Sequence, residues 1–554
     1  MATPDRAGAV RPRTDRVRLT AHSVLSAVST RDAYANLLLA SALRDAGLHG
    51  KDAALATELV YGTLRNRGCY DAIISLCADR AVDQIDPPVL DALRLGAHQL
   101  LGLRIKSHAA VATTVDLVIG VAGRRPSGFA NAVLRRIAPR DLESWIQIVA
   151  PDRSEDLTGH LSVRYSHPRW IVTAFADALG ENLTEISVEP DADRAGDAVP
   201  SRDARSVAGR TKNGTVASDV TGVTQTEAVL AADAGRPIVH LAVAPGLSRS
   251  IEFDGVGAAA ARWSPFGAYL GHGDPGEIAA VAAGRAWVQD EASQLAAYAL
   301  AEAGPGTRAD GQRWLDLCAG PGGKARLLAA LAAQRGAVLL ASDVHPHRAE
   351  LVRAALGSLS AASGSASPAS GSVSPASGSA SPASGRASPA SGVSAASGSL
   401  SVASGGRNSA AHVVVADGTA RAWRAGAFDR VLADVPCSGL GSLRRRPEAR
   451  WRRQPEDIAA LAGLQRALLT SAIDAARPGG VVGYVTCSPH LAETRQVLAD
   501  VLATRPGIEV LDAPAVLADV PDLRCPEPYS RYAQFWPHRH GTDAIFVALL
   551  RIAP

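Results

Sequence analysis

Trp314-Leu315-Asp316-Leu317-Cys318-Ala319-Gly320-Pro321-Gly322-Gly323-Lys324 is a short apolar run that breaks into a glycine loop. The run reads as a buried strand, and the loop as the turn that leads from its carboxyl end into a helix. Glycines at such a turn let backbone approach a ligand closely, the form expected of a nucleotide-like cofactor cradle. Further along, Phe428-Asp429-Arg430-Val431-Leu432-Ala433 and Val481-Val482-Gly483-Tyr484-Val485 read as two more buried strands. Each runs into a tight polar turn that holds a cysteine: Asp434-Val435-Pro436-Cys437-Ser438-Gly439 and Thr486-Cys487-Ser488-Pro489. Both thiols should therefore emerge at the carboxyl ends of a parallel sheet, where open α/β sheets bind ligands. Two thiols beside a cofactor cradle suggest covalent chemistry on a base.

From about residue 311 to the end, strands and helices alternate, which predicts a parallel sheet covered by helices on both faces. The predicted strands are Val338 to Val344, Val413 to Asp417, Phe428 to Pro436, Gly480 to Cys487 and Ala544 to Ile552. Between residues 357 and 408 an imperfect Ser-Ala-Ser-Pro-Ala-Ser-Gly repeat interrupts this domain of residues 291–554. With almost no apolar bulk the tract cannot offset its ordering entropy and is expected to be a disordered insert. Residues 18–145 are helical in pattern, with apolar sets such as Tyr34, Leu37, Leu38, Ala42 and Val89, Leu90, Leu93, Ala97, Leu100, Leu101 at three and four spacing. A separate helical bundle is expected there, preceded by a disordered basic tail over residues 1–17. Residues 155–290 read as a small α+β intermediate domain with a helix around Pro168 to Leu179 and an irregular stretch near 188–236. The expected fold is thus multidomain: an all-α bundle, an intermediate α+β domain and a carboxyl-terminal Rossmann-like α/β domain.

The chain has 554 residues, which at roughly 150 per domain fits three or four domains. Six cysteines in so long a chain form no disulfide framework, and none makes a CxxC pair or a Cys/His cluster of zinc spacing. His538 and His540 are likewise not spaced with other ligands, so no metal is expected. A reducing cytoplasm fits best, and the basic amino terminus contains no apolar stretch long enough for a signal peptide or membrane span. A net charge of +3 is too small to argue for nucleic acid, so local clustering must decide. Arg444, Arg445, Arg446, Arg450, Arg452 and Arg453, with Trp451 among them, follow the Cys437 turn directly. A charge run is usually a solvated face, but beside a candidate catalytic turn these guanidinium groups are expected to bind RNA phosphates, with Trp451 stacking on a base or anchoring the loop.

Asp343, Asp417 and Asp434 follow strands in an order similar to that by which class I methyltransferases hold S-adenosylmethionine. On that resemblance Asp343 accepts the ribose hydroxyls and Asp417 binds the adenine amine. The expected cofactor contacts are these three acids and the loop residues Cys318, Ala319, Gly320, Pro321, Gly322, Gly323 and Lys324. The loop, the Asp434–Gly439 and Thr486–Ser488 turns and the closing Pro537-His538-Arg539-His540-Gly541-Thr542-Asp543 resemble the Sun-type RNA cytosine-C5 methyltransferases. The leading bundle resembles the NusB-like RNA-binding domain of the bacterial small-subunit rRNA methyltransferase B group. The likeness spans most of the chain, excepting the Ser/Ala/Pro/Gly tract and the stretch near 188–236.

The chemistry explains why two thiols are useful. Cytosine C5 is a poor nucleophile until a thiolate adds to C6; after methylation a base removes the C5 proton and the enzyme is expelled. Chemistry alone does not say which cysteine attacks. The resemblance implies Cys487 as nucleophile and Cys437 in release, with Asp434 hydrogen-bonding the cytosine edge so that protonation at N3 is stabilised. Lys324 is expected to lower a nearby thiol pKa or to contact substrate. Cys69, Cys77 and Cys525 read as packing residues. The expected activity is methylation of cytosine C5 in small-subunit ribosomal RNA by a monomer. The alternatives are a tRNA-directed enzyme of the same family and a non-catalytic RNA-binding or antitermination factor built on the bundle.

Overall fold

A computed structural model describes residues 15–103, 105–184, 224–247, 253, 256–304, 311–364, 411–420 and 422–554. Residues 1–14 of the expected tail lie outside these, but Arg16 and Val17 already belong to a helix, Arg16–Arg31, because the Asp15 side chain caps it by accepting from the Val17 amide. Helices Ala35–Asp45, Gly50–Arg65, Arg67–Ala78, Pro87–Leu101, Ser107–Ala122, Ser127–Ile137 and Leu142–Val149 complete the bundle. Pro87 starts the central one, where a missing amide costs nothing. That helix is buried over eleven consecutive residues, Val89 to Gln99, with its charges paired inside: Arg94 reaches Asp71 and Asp91, and Gln99 accepts from Arg18. One predicted core face fails. Tyr34 and Leu37 are 40% and 70% exposed, whereas Ala35 and Leu39 face the core, since the helix over Ala35–Asp45 is rotated so that only part of its apolar stripe meets the bundle.

Residues 155–290 do not share one core. Helices Leu157–Arg164, Arg169–Leu179 and Gln225–Ala234 pack their Leu161, Ile171, Phe175 and Leu230 against Leu440, Leu443, Trp536 and Ala544 from the far end of the chain. A separate antiparallel sheet contains β1 (Val239–Val243), β2 (Ala258–Ala260), β3 (Gly267–Leu270) and β4 (Ala286–Val288) in the order β2-β3-β1-β4. Of the stretch expected to be irregular, residues 225–234 are helical, capped by Thr224, whose hydroxyl accepts from the Glu227 amide at 3.0 Å; residues 188–223 lie outside the described residues.

The large sheet comprises β5 (Arg313–Asp316), β6 (Val338–Asp343), β7 (Ala411–Val415), β8 (Phe428–Asp434), β9 (Ala476–Thr486), β10 (Ile508–Leu511), β11 (Ala533–Gln534) and β12 (Phe546–Ile552). Its order is β10-β12-β9-β8-β5-β6-β7, with β11 paired to β12. The five strands from β9 to β7 are parallel, while β12 enters antiparallel between β9 and β10, which corrects the expectation of an all-parallel sheet. Helices Glu291–Glu302 and Gly323–Gln334 cover one face through Leu295, Leu300, Leu327 and Leu331; Pro455–Ala475 and Arg495–Ala503 cover the other through Leu468, Leu469, Val497 and Leu498. Although Pro455–Ala475 is long and apolar enough to cross a membrane, half of that span is buried against the sheet. The helix after β6 runs from Pro346 to Gly364, eight residues into the tract expected to be a disordered insert; residues 365–410 lie outside the described residues. β6 and β7 still pair in parallel, Asp343 opposite Val415, so the insertion leaves strand adjacency intact.

Candidate active site

β9, β8 and β5 are adjacent and parallel, so the three turns singled out in the sequence leave the same edge of the sheet side by side. Asp434 pairs with Val485, which sets the two cysteine turns level. The Sγ atoms of Cys437 and Cys487 lie 3.2 Å apart. A residue the sequence reading did not pick holds them there. Glu493, fully buried, accepts at Oε1 from the Ser438 amide at 2.7 Å and the Gln465 side chain at 3.0 Å. Its Oε2 accepts from the hydroxyls of Ser438 at 2.5 Å and Ser488 at 2.6 Å. Ser438 follows Cys437 and Ser488 follows Cys487, so one carboxylate ties the two turns together. Gly441 closes the other side: its amide donates to the Cys487 carbonyl at 2.9 Å, and a Cβ there would fall 1.9 Å from the Ala544 carbonyl oxygen.

The two thiols are electrostatically unequal. The hydrogen bond from Cys437 lowers the Cys487 pKa below its ordinary value, against burial and Asp434, and Lys324 and Arg446 add to the lowering. Cys437 is pushed well up by the same hydrogen bond, by burial and by the nearby Glu493 carboxylate. Of the two, Cys487 is the thiol biased toward ionisation and Cys437 the one biased toward keeping its proton. Lys324 Nζ donates to Asp434 Oδ2 at 2.9 Å. Burial pulls this ammonium down, but Asp434 outweighs it and holds the group above its ordinary value. Lys324, expected among the cofactor contacts, thus directs its charge to Asp434 and the cysteine turns.

On the other side of the loop, the Gly320 amide donates to Asp343 Oδ2 at 3.1 Å, and a Cβ at Gly320 would come within 2.4 Å of that oxygen. Gly322 has φ +112°, a conformation open to glycine, and leads into helix Gly323–Gln334. Asp343 also accepts from the His345 amide and lies 3.4 Å from Arg348. Asp417 sits two residues beyond β7, exposed, with its carboxylate accepting from the amide and hydroxyl of Thr419. Cys318 lies inside the loop with its thiol pushed up by burial and the surrounding carboxylates, which disfavours its thiolate. Two further features were not recognised from the sequence. Asp316, at the end of β5, is 1% exposed with neither carboxyl oxygen hydrogen-bonded, and burial together with Asp434 raises it to about 8. Val344 and Val415, each about half exposed, stand beside Asp343 and Asp417 at the strand ends.

The arginine run is the main correction. Arg444 and Arg445 both bond Asp290 and Asp543, at 2.7 to 3.0 Å, in a buried cluster that also takes in His240. Arg450, fully buried, donates to the carbonyls of Arg65 at 2.9 Å, Ser166 at 3.3 Å and Asp233 at 2.9 Å. Arg452 donates to the carbonyls of Val28 and Ala33, and Trp451 packs over Gly68, where a Cβ would lie 2.5 Å from its ring. These five residues fasten the Cys437 turn to the bundle and the intermediate region rather than facing phosphates. Their partners stand 98 to 424 residues away in the chain. Only Arg446 is exposed, with Arg453 half-buried. Among the described residues no group of three or more His, Cys, Asp or Glu converges as a metal site.

Two family models match separate parts of the chain. A family model described as 16S rRNA methyltransferase RsmB/F matches residues 307–368 and 404–551, and the NusB family model matches residues 15–139. Rv1407 of Mycobacterium tuberculosis, whose name says methyltransferase and gives no substrate, is 43% identical over 99% of both chains. The ribosomal RNA small subunit methyltransferase B of Pseudomonas syringae pv. tomato is 28% identical over 97% of both. The crystal structure of PH0851 shares the fold with a TM-score of 0.66, covering 98% of this chain and all of that one at 18% identity.

Proposed function

For a chain that belongs to the 16S rRNA methyltransferase RsmB/F family, and so to the S-adenosylmethionine-dependent RNA methyltransferases, we propose methylation of cytosine C5 in small-subunit ribosomal RNA with Cys487 as nucleophile and Cys437 in release. The cradle fits the cofactor on its own chemistry. Asp316 is a buried carboxylate without a partner, suited to an ammonium group; Asp343 and the Cβ-free loop at Gly320 suit a ribose; Val344 and Val415 offer apolar surface to a purine ring beside Asp417. Bound there, S-adenosylmethionine supplies an electrophilic methyl group.

The protein's part begins at Cys487, whose thiolate adds to C6 of the target base and drives electron density to C5. Asp434, anchored by Lys324, accepts from the cytosine N4 amino group, and once N3 takes a proton from solvent it accepts from that N3–H as well, so that the charge building on the ring is neutralised there. Once C5 carries the methyl group, a base takes the C5 proton, the electrons of that bond restore the C5–C6 double bond, and the Cys487 sulfur leaves as thiolate. The Cys437 thiol, 3.2 Å away, stabilises the leaving sulfur by hydrogen bonding. The observation that carries this reading is the pair of thiols held 3.2 Å apart at the carboxyl edge of the sheet, their turns tied together by Glu493, and the lowering of the Cys487 pKa against the raising of Cys437 supports the order of roles. The relative from Pseudomonas, named for small-subunit ribosomal RNA, and the NusB-like bundle support the substrate.

With RNA and S-adenosylmethionine, Cys437→Ala should accumulate a covalent RNA adduct that survives denaturing electrophoresis, while Cys487→Ser should form neither adduct nor 5-methylcytosine. Methylation by Cys487→Ser at the wild-type rate would overturn the assignment. Bisulfite sequencing of ribosomal and transfer RNA from a deletion strain identifies the substrate.

A further inference from the structure

Tyr34, at 40%, is the only exposed Phe, Tyr or Trp among the described residues. Folding gives no reason for it. The residue sits at the start of helix Ala35–Asp45 in the bundle, and the backbone on either side is clamped by the loop that follows the Cys437 turn. Arg452 donates to the Ala33 carbonyl, and the Ala35 amide donates to Glu448 Oε1 at 3.1 Å. The ring is therefore held in place by catalytic-domain residues although it belongs to another domain. Two cations attend it: the guanidinium carbon of Arg452 lies 4.8 Å from the ring centroid and that of Arg446 lies 5.9 Å away. Unlike Arg444 and Arg445, Arg446 pairs with no carboxylate among the described residues. It is exposed, and close enough to Cys487 for its charge to act on that thiol. Leu37, 70% exposed, lies one turn along from Tyr34.

We propose that Tyr34 of the bundle and Arg446 of the catalytic loop form a subsite for the nucleotide flanking the target base in single-stranded RNA, the ring stacking on the base and the guanidinium meeting its phosphate. A fixed aromatic ring and an unpaired guanidinium are the two elements with which proteins hold an unstacked nucleotide. Arg446 is the more loosely placed of the two cations, so a base can replace it over the ring while its guanidinium turns to the backbone. The bundle then supplies part of the active-site entrance. This rests on the reading of Cys487 as the reacting group, which places the target base beside Arg446.

The test is equilibrium binding of the full-length protein to a labelled single-stranded RNA that contains one cytosine, followed by fluorescence anisotropy over a range of salt. Tyr34→Ala should weaken binding about tenfold or more, and Tyr34→Phe and Tyr34→Trp should restore it. Arg446→Gln should lower the slope of log affinity against log salt by about one unit. In turnover, Tyr34→Ala should raise KM for RNA by a larger factor than it lowers kcat. A second measurement needs no variant: RNA carrying 5-iodouridine beside the cytosine should photo-crosslink to the wild-type protein within residues 33–37. Unchanged affinity for Tyr34→Ala, equal loss for Tyr34→Phe, or crosslinks that map only elsewhere would overturn the subsite. Binding and crosslinking involve no methyl transfer, so loss of the subsite is distinguishable from failure of the cytosine-C5 reading, which the Cys437→Ala adduct tests.

Discussion

Replacing Glu493 should separate the two thiols without touching either. Its carboxylate takes four hydrogen bonds, two from N–H donors and two from hydroxyls. In Glu493→Gln the amide oxygen can keep the Ser438 amide and the Gln465 side chain, while the hydroxyls of Ser438 and Ser488 rotate to accept from the new NH2. What is lost is the charge. Hydrogen bonds to an ionised acceptor contribute about 1.5–3 kcal/mol each against about 1 for neutral ones, so four lose on the order of 2–8 kcal/mol. Relief from burying a carboxylate offsets part of this, leaving a net loss of about 1–3 kcal/mol. Glu493→Ala strands two N–H donors at about 1–3 kcal/mol each and leaves a cavity, for a loss of about 4–6 kcal/mol. Activity should fall further than stability suggests, because a catalytic group displaced by about 1 Å costs on the order of 10²-fold. Removing the negative charge also lets the Cys437 pKa fall and narrows the difference between the thiols. Urea denaturation gives the stability change, and single-turnover methylation, at a temperature where each variant is folded, gives the rate. If Glu493→Ala unfolds at the wild-type urea midpoint and methylates at the wild-type rate, the carboxylate does not hold the pair.

Two more outcomes follow from the charges around the site. Only the thiolate is alkylated, so the rate of Cys487 modification by iodoacetamide rises as pH passes upward through its pKa, which lies below the ordinary thiol value. Cys437→Ala removes the hydrogen bond, and Lys324→Gln the cation, that hold it down, so either should move the profile to higher pH; a shift to lower pH would refute the assigned asymmetry. Asp316, at about 8, is protonated near pH 7, and a ligand ammonium brought beside it lowers that value. Titration calorimetry with S-adenosylhomocysteine in buffers of different ionisation enthalpy should therefore show release of up to about one proton near pH 7, and none in Asp316→Asn. Binding without buffer dependence would remove Asp316 from the cradle.

Much of this site was legible along the chain because its chemistry is carried by short contiguous turns. A strand, a glycine loop and a helix start are encoded within eleven residues at Trp314 to Lys324, and strand periodicity is enough to bring Cys437 and Cys487 to one edge of a sheet. Tertiary structure decided what depends on distant partners. The arginine run has the same charge in sequence whether its groups meet water, phosphate or buried carbonyls; folding brings Asp290, Asp543, Arg65 and Asp233 to it and leaves only Arg446 exposed. Glu493 stands out in no local pattern, and only packing brings its carboxylate to the serines that follow both thiols, while Tyr34 reads as core until the helix it begins is turned outward. Periodicity predicts that a residue lies on one face of an element, but the free energy of a charge or ring is set by what covers that face, and the covering groups here come from up to about four hundred residues away.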